Sequence, residues 1–503
     1  MTTTSGIHAA CRIVASGFRL AARLAALLAL LPFAATRVAA QQTFTLKQAI
    51  EMAQRQGLPA RAAASTRESS RDRNHAFYAG YLPSLTLGGT VPNYSRSITS
   101  VVQPDGSTLY LPVQQTSSAL TASLVQRVPW TNTTLTFSSG LNQVQVSGIN
   151  GFHAWSSTPF SVGISQPIFR SNQQRWDIRE EDFRMESAER KYLEAREDAA
   201  IAATNAFFDL YTAGANLKNA AGNASINDTL YTLNKGRLEI GKIGENDLLQ
   251  SELALLRARA SLDDAKLAYD RAQSQFRITI NVPVGTAVDI AVTDAVPVFD
   301  ADTAEAVRWA RNNSSAIEDA AASEVHADRQ VSEARWNGGA GGTLNASYGF
   351  NATGSNAGDA YRNLLNAQQL SLSVNLPIWQ WGAHSSTVEA AKADRDAARS
   401  NAELSRAQTD LNAHFAALQL PQARRNLLIA SKADTVATKR FDVAYNRYVI
   451  GKITIDNLYI AQSEKDQALV AYGQALRGYW LAYFQLRRAT LYDFQASRPI
   501  REY

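Results

Sequence analysis

Two segments of the chain can form helices much longer than the diameter of a globular domain. Asn172 to Asn234 spans 63 residues without a proline, and Trp381 to Arg447 spans 67 residues with Pro421 as the only one. As α-helices they would be about 95–100 Å long, at ~1.5 Å per residue. Helices of this length need partners along their whole length, so the fold has to supply other helices beside them.

Apolar or small residues recur at every seventh position in both segments, which predicts a seam for side-by-side helix packing. The positions are Ile178, Met185, Tyr192, Ala199, Ala206, Ala213 and Ala220 in the first segment, and Ala390, Ala397, Leu404, Leu411 and Leu418 in the second. Shorter helical patterns at residues 45–80, 247–282, 303–335 and 456–494 supply the partners. Each half of the chain then has one long helix beside two shorter ones stacked end to end. Ordinary amphipathic helices are the alternative.

The chain repeats itself at a spacing of 210 positions. The tetrapeptide IGKI occupies residues 240–243 and again 450–453, and its flanks match at the same spacing, RLEIGKIGENDL over RYVIGKITIDNL. A second block, SVGISQPIF from Ser161, lies over SLSVNLPIW from Ser371. Two independent blocks in one register predict a duplicated architecture. The predicted repeats are residues 41–296 and 297–503, with tips at residues 240–246 and 450–456.

Four segments alternate apolar with polar residues, as strands with one apolar face do. They are residues 84–91, 160–167, 343–350 and 370–377. Aromatic residues and prolines lie where the strand and helix patterns meet. The aromatic residues are Tyr78, Tyr81, Phe169, Trp336, Trp379 and Trp381, and the prolines are Pro83, Pro167 and Pro377. Rings at four such junctions predict one interfacial girdle, and therefore strands in a membrane rather than in a soluble sheet.

The two halves differ in the length of chain that joins their strands. The first half holds 49 residues more than the second, and the excess is rich in Ser, Thr, Asn and Gln. We expect these residues either outside the cell surface or as an added hairpin.

Residues 1–40 have the order of a secretory signal peptide, with arginines first, then the apolar run LAALLALLPFAA, then small residues at Val38 and Ala40. We expect cleavage after Ala40. The remaining chain has 46 Lys and Arg (50 less four) against 45 Asp and Glu, a balance that argues against a nucleic-acid partner. The only cysteine, Cys11, lies in this segment, so the predicted mature chain has neither a disulfide nor a lipid-anchor cysteine.

Residue types that often serve in catalysis or metal binding form no such pattern in this sequence. The five histidines after residue 40 are scattered without ligand spacing. The glycine-rich segment at residues 338–342 is followed by Thr343 and Leu344, whereas a phosphate-binding loop requires Lys and then Ser or Thr. The sequence therefore predicts a protein that is not an enzyme and that uses no cofactor or metal.

Strands in lipid have to close into a barrel of at least about eight, so four strands per chain predict that several copies share one barrel. The duplicated halves, the strand exits at Pro167 and Pro377, and the paired IGKI hairpins resemble the TolC-type outer-membrane efflux proteins, or outer membrane factors. The resemblance covers essentially the whole predicted mature chain. It implies a mainly α fold with membrane β structure, in which a homotrimer forms a twelve-strand outer-membrane β-barrel that continues into a long periplasmic barrel of twelve helices.

The resemblance also implies a function and partners. The trimer would be the exit duct of a tripartite efflux or type I secretion system, held in outer-membrane lipid. It would passively conduct substrates that an inner-membrane pump delivers through a periplasmic adaptor, or membrane fusion protein.

By the same resemblance, the two IGKI turns are tips onto which the adaptor docks. These residues are Ile240, Gly241, Lys242, Ile243, Ile450, Gly451, Lys452 and Ile453. Branched apolar side chains at a tip surrounded by periplasmic water favour a partner surface. The alternative is that the glycines serve the chain reversal alone.

A periplasmic gate is the second site that the resemblance implies. Asp247 and Tyr448 match the family's gate pair, and Asp456 and Asn457 lie close to the position of its acidic ring. The match is partial, because Ile453 stands where the family has an arginine, and Asn457 and Ile460 stand where it has acidic residues. We therefore expect a more apolar constriction that attracts cations less. The alternative for Asp247 is that it only caps the helix it begins.

Two other classes of protein share part of this pattern. A periplasmic coiled-coil adaptor or structural protein would have the signal peptide and the long helices, but not the four strand segments. A stand-alone outer-membrane porin would use its residues for strands rather than for helices of ~100 Å.

Overall fold

The computed structural model describes residues 42–501 apart from 103, 148–150, 284, 287 and 293–295. The predicted signal peptide lies outside the described residues. The helices are α1 Leu46–Gln56, α2 Leu58–Ala79, α3 Gln173–Glu239, α4 Glu245–Ile280, α5 Thr303–Asn313, α6 Ser315–Asn337, α7 Ala383–Val449 and α8 Ile455–Thr490. Among the described residues, none of the helices combines the length and the apolar character needed to cross a bilayer.

Both of the long helices form, and each contains 67 residues. The side-chain oxygen of Asn172 accepts the backbone N–H of Arg175 at 3.0 Å and so caps the first turn of α3. Pro421 lies inside α7 without ending it. At ~1.5 Å per residue, each helix is about 100 Å long.

Helix bounds coincide at the spacing of the sequence repeat. α7 begins and ends 210 positions after α3 (383 − 173 and 449 − 239), and α8 begins and ends 210 positions after α4 (455 − 245 and 490 − 280). The two halves therefore use the same helix lengths on either side of each tip.

Two of the shorter helical patterns are broken in two, which the sequence interpretation missed. α1 and α2 are separated by Gly57, where an added Cβ would lie 2.4 Å from the carbonyl oxygen of Ala53. Pro59 then occupies the first turn of α2, where its missing N–H costs nothing. α5 and α6 are separated by Ser314, whose hydroxyl accepts the N–H of Ala316 at 3.3 Å. Local cap geometry thus ends each pattern before its periodicity does.

The membrane-type sheet contains six antiparallel strands in the order β2-β3-β4-β5-β7-β8. Their bounds are β2 Ser84–Val102, β3 Thr108–Val128, β4 Thr133–Ser147, β5 Phe152–Ile168, β7 Gly341–Gly354 and β8 Leu365–Asn375. The first three predicted segments lie in β2, β5 and β7, and the fourth, 370–377, lies in β8 up to Asn375 and extends two residues beyond it. The prediction of four strands per chain is wrong, because the excess residues of the first half form β3 and β4 between β2 and β5. The twelve-strand barrel that the resemblance implies for a trimer takes four strands from each chain, which does not agree with the six strands of this sheet.

Helices pack side by side in two tiers. In the tier next to the sheet the order of neighbours is α2, α3, α6, α7, and in the tier that ends at the tips it is α4, α3, α8, α7. α7 is therefore the edge of both tiers on one side. Of the residues at every seventh position, Ala199, Ala206 and Ala220 of α3 are buried against other helices of the same chain. Leu404 and Leu411 of α7 are exposed.

The main hydrophobic core lies where the two tiers meet. Phe207 of α3, Phe276 of α4 and Tyr479 of α8 are fully buried there. A two-stranded parallel sheet covers this core, formed by β1 Gln42–Thr45 and β6 Val288–Ala291. The chain ends beside it in an antiparallel pair, β9 Tyr492–Asp493 and β10 Arg498–Pro499. Both long helices begin just after strands of the six-stranded sheet and end at the tips, so the sheet and the tips lie at opposite ends of the molecule.

Candidate functional site

The two tips have the same backbone geometry. Gly241 has φ +71° and Gly451 has φ +74°. In the first tip the N–H of Gly241 donates to Leu238 O and that of Lys242 to Arg237 O, and the equivalent bonds form in the second tip, all at 2.9 Å. This is the helix-ending motif in which a left-handed residue lets the chain leave the axis. A Cβ at either glycine would meet no atom within 4 Å, so positive φ and not crowding is what requires glycine.

Apolar side chains at the tips divide into exposed and packed pairs. Ile240 is 67% exposed and Ile450 is 64% exposed. Ile243 and Ile453 are half-buried, and Ile453 packs against the cluster described below. Lys242 and Lys452 are exposed. Each tip therefore presents one isoleucine and one lysine to solvent.

A small apolar core joins the two tips. It consists of Leu230, Phe441, Tyr448, Ile455 and Leu458, all buried. Its residues come from α3, α7 and α8, so the ends of both long helices and the start of α8 form one unit.

Tyr448 and Arg237 both make polar contacts between the ends of the two long helices. The Tyr448 hydroxyl donates to Oδ1 of Asn234 at 2.8 Å in a buried position. The Arg237 guanidinium donates to the carbonyl of Val449 at 3.1 Å and lies 5.2 Å from the centre of the Tyr448 ring. An arginine at the carbonyl end of α7 is favoured by the helix dipole.

Three of the four predicted gate residues line one cavity of about 650 Å³, but Asp247 and Tyr448 do not bind each other. Asp247 and Tyr448 both line it, together with Asp456. The Tyr448 hydroxyl binds Asn234 rather than Asp247. Asp456 accepts from Gln250 Nε2 at 2.6 Å, and Asn457 donates to the Thr454 hydroxyl at 3.0 Å.

Asn234, Arg237 and Gln250 are residues that the sequence interpretation missed. Arg237 could have been found, because it lies 210 positions before Arg447 in the matched flanks.

Burial raises the pKa of the nearby Tyr459 to about 12, and Tyr448 and Asp456 add to the shift. Tyr459 is therefore neutral near pH 7, and the charge at the mouth comes from arginine, lysine and aspartate side chains.

Aromatic residues lie at the opposite end, where the helices meet the sheet. Phe169, Trp336, Trp379 and Trp381 are more than half exposed, with Trp379 and Trp381 in edge-to-face contact at 5.2 Å. Tyr78 is 39% exposed and Tyr81 is half-buried. Pro83 lies just before β2, and Pro377 lies just after β8. Pro167 is the second-last residue of β5, opposite Thr343 of β7. Trp130, in the turn between β3 and β4, is 80% exposed and was missed because that turn was not predicted.

The family model described as outer membrane efflux protein matches residues 49–281. This match, over 233 of the 503 residues, shows that the chain is similar to the outer membrane efflux proteins. Members of this family are channels, and this efflux protein is located in the bacterial outer membrane with its helical tunnel in the periplasm. A search of curated protein sequences finds no match.

Solved structures share the fold of this efflux protein over most of its length. The CmeC outer membrane channel of Campylobacter jejuni has a TM-score of 0.65 at 16% identity, covering 91% of this chain and 87% of CmeC. The outer membrane protein VceC of Vibrio cholerae has a TM-score of 0.62 at 12% identity, covering 91% and 97%. The open state of the MtrE outer membrane channel of Neisseria gonorrhoeae has a TM-score of 0.61 at 15% identity, covering 91% of each chain.

Proposed function

We propose that this efflux protein is the exit duct of a tripartite efflux or type I secretion system. In this role it conducts substrates passively from an inner-membrane pump and a periplasmic adaptor to the exterior. The observation that carries the proposal is the placement of two matching apolar tips about 100 Å from a membrane-type sheet, at the far ends of two 67-residue helices. The sheet argues against a periplasmic adaptor, and the helices argue against a stand-alone porin.

Open edges support assembly from several copies. In the tier that ends at the tips, α4 and α7 are the outermost helices, and both carry exposed apolar residues along their length. Leu249 and Leu256 lie 8 and 15 positions after Gly241, and Val443 and Val436 lie 8 and 15 positions before Gly451. Because α4 and α7 run in opposite directions from the tips, these residues lie at equal heights and can form an antiparallel seam between neighbouring copies.

Three copies are the number that the family resemblance implies. Each chain is four helices wide in either tier, so three copies give the twelve helices of the tunnel. Head-to-tail contacts between the same two edges close into a ring, as a heterologous interface can. The two tips of each chain then give six similar docking positions at the mouth.

The exposed Ile240 and Ile450 favour the tips as the adaptor-docking surface. In this proposal an apolar helical hairpin of the adaptor covers each isoleucine, while Gly241 and Gly451 shape the groove. The cavity that Asp247, Tyr448 and Asp456 line is our candidate for the gate, and Asn457 donates to Thr454 in its lining. Two carboxylates, the Arg237 guanidinium and the Lys242 ammonium group make this cavity polar.

Substitutions at the tip glycines test this function. Leucine at residue 241 or 451 has to adopt a left-handed φ, which costs ~1–2 kcal/mol. Gly236→Leu, inside α3 where an added Cβ also meets open space, is the matched control. We expect both tip variants to abolish efflux and cross-linking of residue 240 to the cognate adaptor, with the outer-membrane oligomer intact, and the control to retain both.

Two outcomes would overturn the docking role. Full efflux in both tip variants would show that the tips do not dock. Loss of the oligomer together with efflux would assign the glycines to the chain reversal alone.

A further inference from the structure

The sheet of the first half contains a hairpin that has no counterpart in the second half. β3 and β4 lie between β2 and β5 and pair with them in antiparallel ladders. The β3–β4 ladder is uninterrupted, and the ladders to β2 and β5 each contain one register shift. The second half joins β7 to β8 through residues 355–364, which contain only a 3₁₀ turn at Asp359–Tyr361. The hairpin is therefore inserted into the sheet and is not an appendage beyond it.

One face of the sheet is apolar across the inserted hairpin as well as on both sides of it. The register aligns Leu85, Leu124, Phe137, Val162 and Tyr348 as direct partners in a row that crosses five strands. Direct partners project to the same face. Leu85 is 75% exposed and Tyr348 is 47% exposed, so the row is open on this face of the chain. A continuous exposed apolar band of this kind suits contact with lipid.

The other face is polar and nearly without charge. The next row aligns Thr86, Ser123, Ser138, Ser161 and Gly349 across the same five strands. β4, β5, β7 and β8 contain no Asp, Glu, Lys or Arg. Small neutral polar side chains on one face and apolar side chains on the other are the pattern of a barrel wall around water.

The turn of the hairpin is fixed at the level where the helices meet the sheet. The side chain of Asn172, which caps α3, donates to the carbonyls of Pro129 at 2.8 Å and Trp130 at 3.2 Å. Gln126 Nε2 donates to the carbonyl of Tyr81 at 2.8 Å, just before β2. The exposed Trp130 therefore lies at the level of the other junction aromatics, and β3 and β4 start from the same boundary as the other four strands.

We propose that the membrane barrel of this efflux protein has eighteen strands, six from each of three copies, with β3 and β4 as full wall strands in contact with lipid. The inference rests on the trimeric duct proposed above. β2 and β8 are the two edges of the sheet, and an unpaired edge cannot remain in lipid. β2 of one copy accordingly pairs with β8 of the next.

The size of such a barrel agrees with the size of the tunnel. Eighteen strands ~4.8 Å apart and tilted by ~40° have a circumference of roughly 113 Å, or a diameter of about 36 Å. A ring of twelve helices at 8–10 Å spacing has a circumference of roughly 96–120 Å. The duct can then pass from helices to strands without narrowing, and its neutral wall in the membrane admits bulky substrates of either charge.

Accessibility of single labels tests the proposal. In a Cys11→Ser background, cysteines replace Leu124, Phe137, Ser123 and Ser138 one at a time and carry a nitroxide label in reconstituted membranes. Val162→Cys and Ser161→Cys, in the same two rows on β5, are the matched controls because β5 is a wall strand with or without the hairpin. We expect labels at 124 and 137 to be reached by lipid-soluble oxygen, as at 162. Labels at 123 and 138 should be reached by a water-soluble nickel chelate, as at 161.

The opposite result is equally specific. Nickel access at 124 and 137, with residue 162 still in contact with lipid, would remove the hairpin from the wall and overturn the eighteen-strand barrel. Native mass spectrometry counts the copies separately. Any number other than three would overturn the trimer, and with it the strand count, while the labels would still show whether each chain contributes six strands.

Discussion

The Tyr448 hydroxyl donates a 2.8 Å hydrogen bond to Oδ1 of Asn234 and connects the ends of the two long helices across 214 positions of sequence. Both residues are buried. Together with Arg237, which binds the last carbonyls of α7, this bond ties the two tips of one chain into a single body. We therefore expect a mouth built from such pairs to open by moving both tips of a chain together.

Removing that hydroxyl should loosen the mouth. Tyr448→Phe leaves Asn234 Oδ1 buried without its donor, at a cost of about 1–3 kcal/mol. We expect a larger single-channel conductance in planar bilayers, because the ends of α3 and α7 separate more readily. Tyr445→Phe, three residues earlier on the same helix and half-buried, is the control and should leave the conductance unchanged. Equal conductance of Tyr448→Phe and the unaltered protein would contradict a gating role for Tyr448.

Arg237 and Arg447 occupy equivalent positions in the two tips but have different surroundings. Arg237 is half-buried and donates to α7 carbonyls, whereas Arg447 is exposed. Arg237→Ala should therefore increase protease cleavage at the tips, and Arg447→Ala should not. The measurement is limited proteolysis of the detergent-solubilised protein, followed by mass mapping. Equal cleavage of the two variants would show that the contact to α7 does not hold the tip.

The proposed seam between copies can be tested by exchanging its apolar pair for charges. Leu256→Glu or Val436→Lys alone places an unpaired charge in an apolar interface, which costs ~2 kcal/mol or more. We expect each single variant to lower the recovery of oligomer on native gels, and the double variant to restore much of it through an ion pair between copies. Equal recovery of oligomer from the double variant and the single variants would show that α4 and α7 of neighbouring copies are not in contact at these residues.

Glu197 should make stability depend on pH. Its Oε1 accepts from Arg487 at 3.1 Å, while Oε2 is buried without a hydrogen-bond partner among the described residues. Burial raises the pKa of Glu197 above its ordinary value of 4.5, and Arg487 only partly opposes this. The folded chain thus keeps a proton that the unfolded chain releases. The stabilisation is complete below pH 4.5 and is lost as the pH rises through the raised pKa.

Glu197→Gln removes this titration, so its Tm relative to the unaltered protein should increase between pH 4.5 and pH 8. Thermal unfolding in detergent, followed by circular dichroism, measures the difference. A Tm difference that is constant over this range would show that Glu197 has no raised pKa in the folded protein.

Features set by local chemistry could be predicted from the sequence. The long helices follow from seventh-position periodicity and from the scarcity of proline over more than sixty residues, and both properties act within a few turns of backbone. The left-handed glycines at 241 and 451 follow from the matched IGKI turns, because glycine alone adopts positive φ without strain. The family resemblance, which rests on these same residues, predicted the outer-membrane location and the class of protein, a channel.

Features that depend on neighbours distant in sequence were decided by the tertiary structure. The Ser- and Thr-rich residues 108–147 have the alternation of strands, yet only their ladders with β2 and β5 show that they are strands of the same sheet and not a loop outside it. Likewise, Tyr448 lies in the same cavity as Asp247 but donates to Asn234, because helix packing sets which acceptor lies within hydrogen-bond distance of its hydroxyl. The pattern of residues along a chain determines which helix or strand forms. Strand register and side-chain partners depend on how separate helices and strands pack, and neighbouring residues in the sequence do not determine that packing.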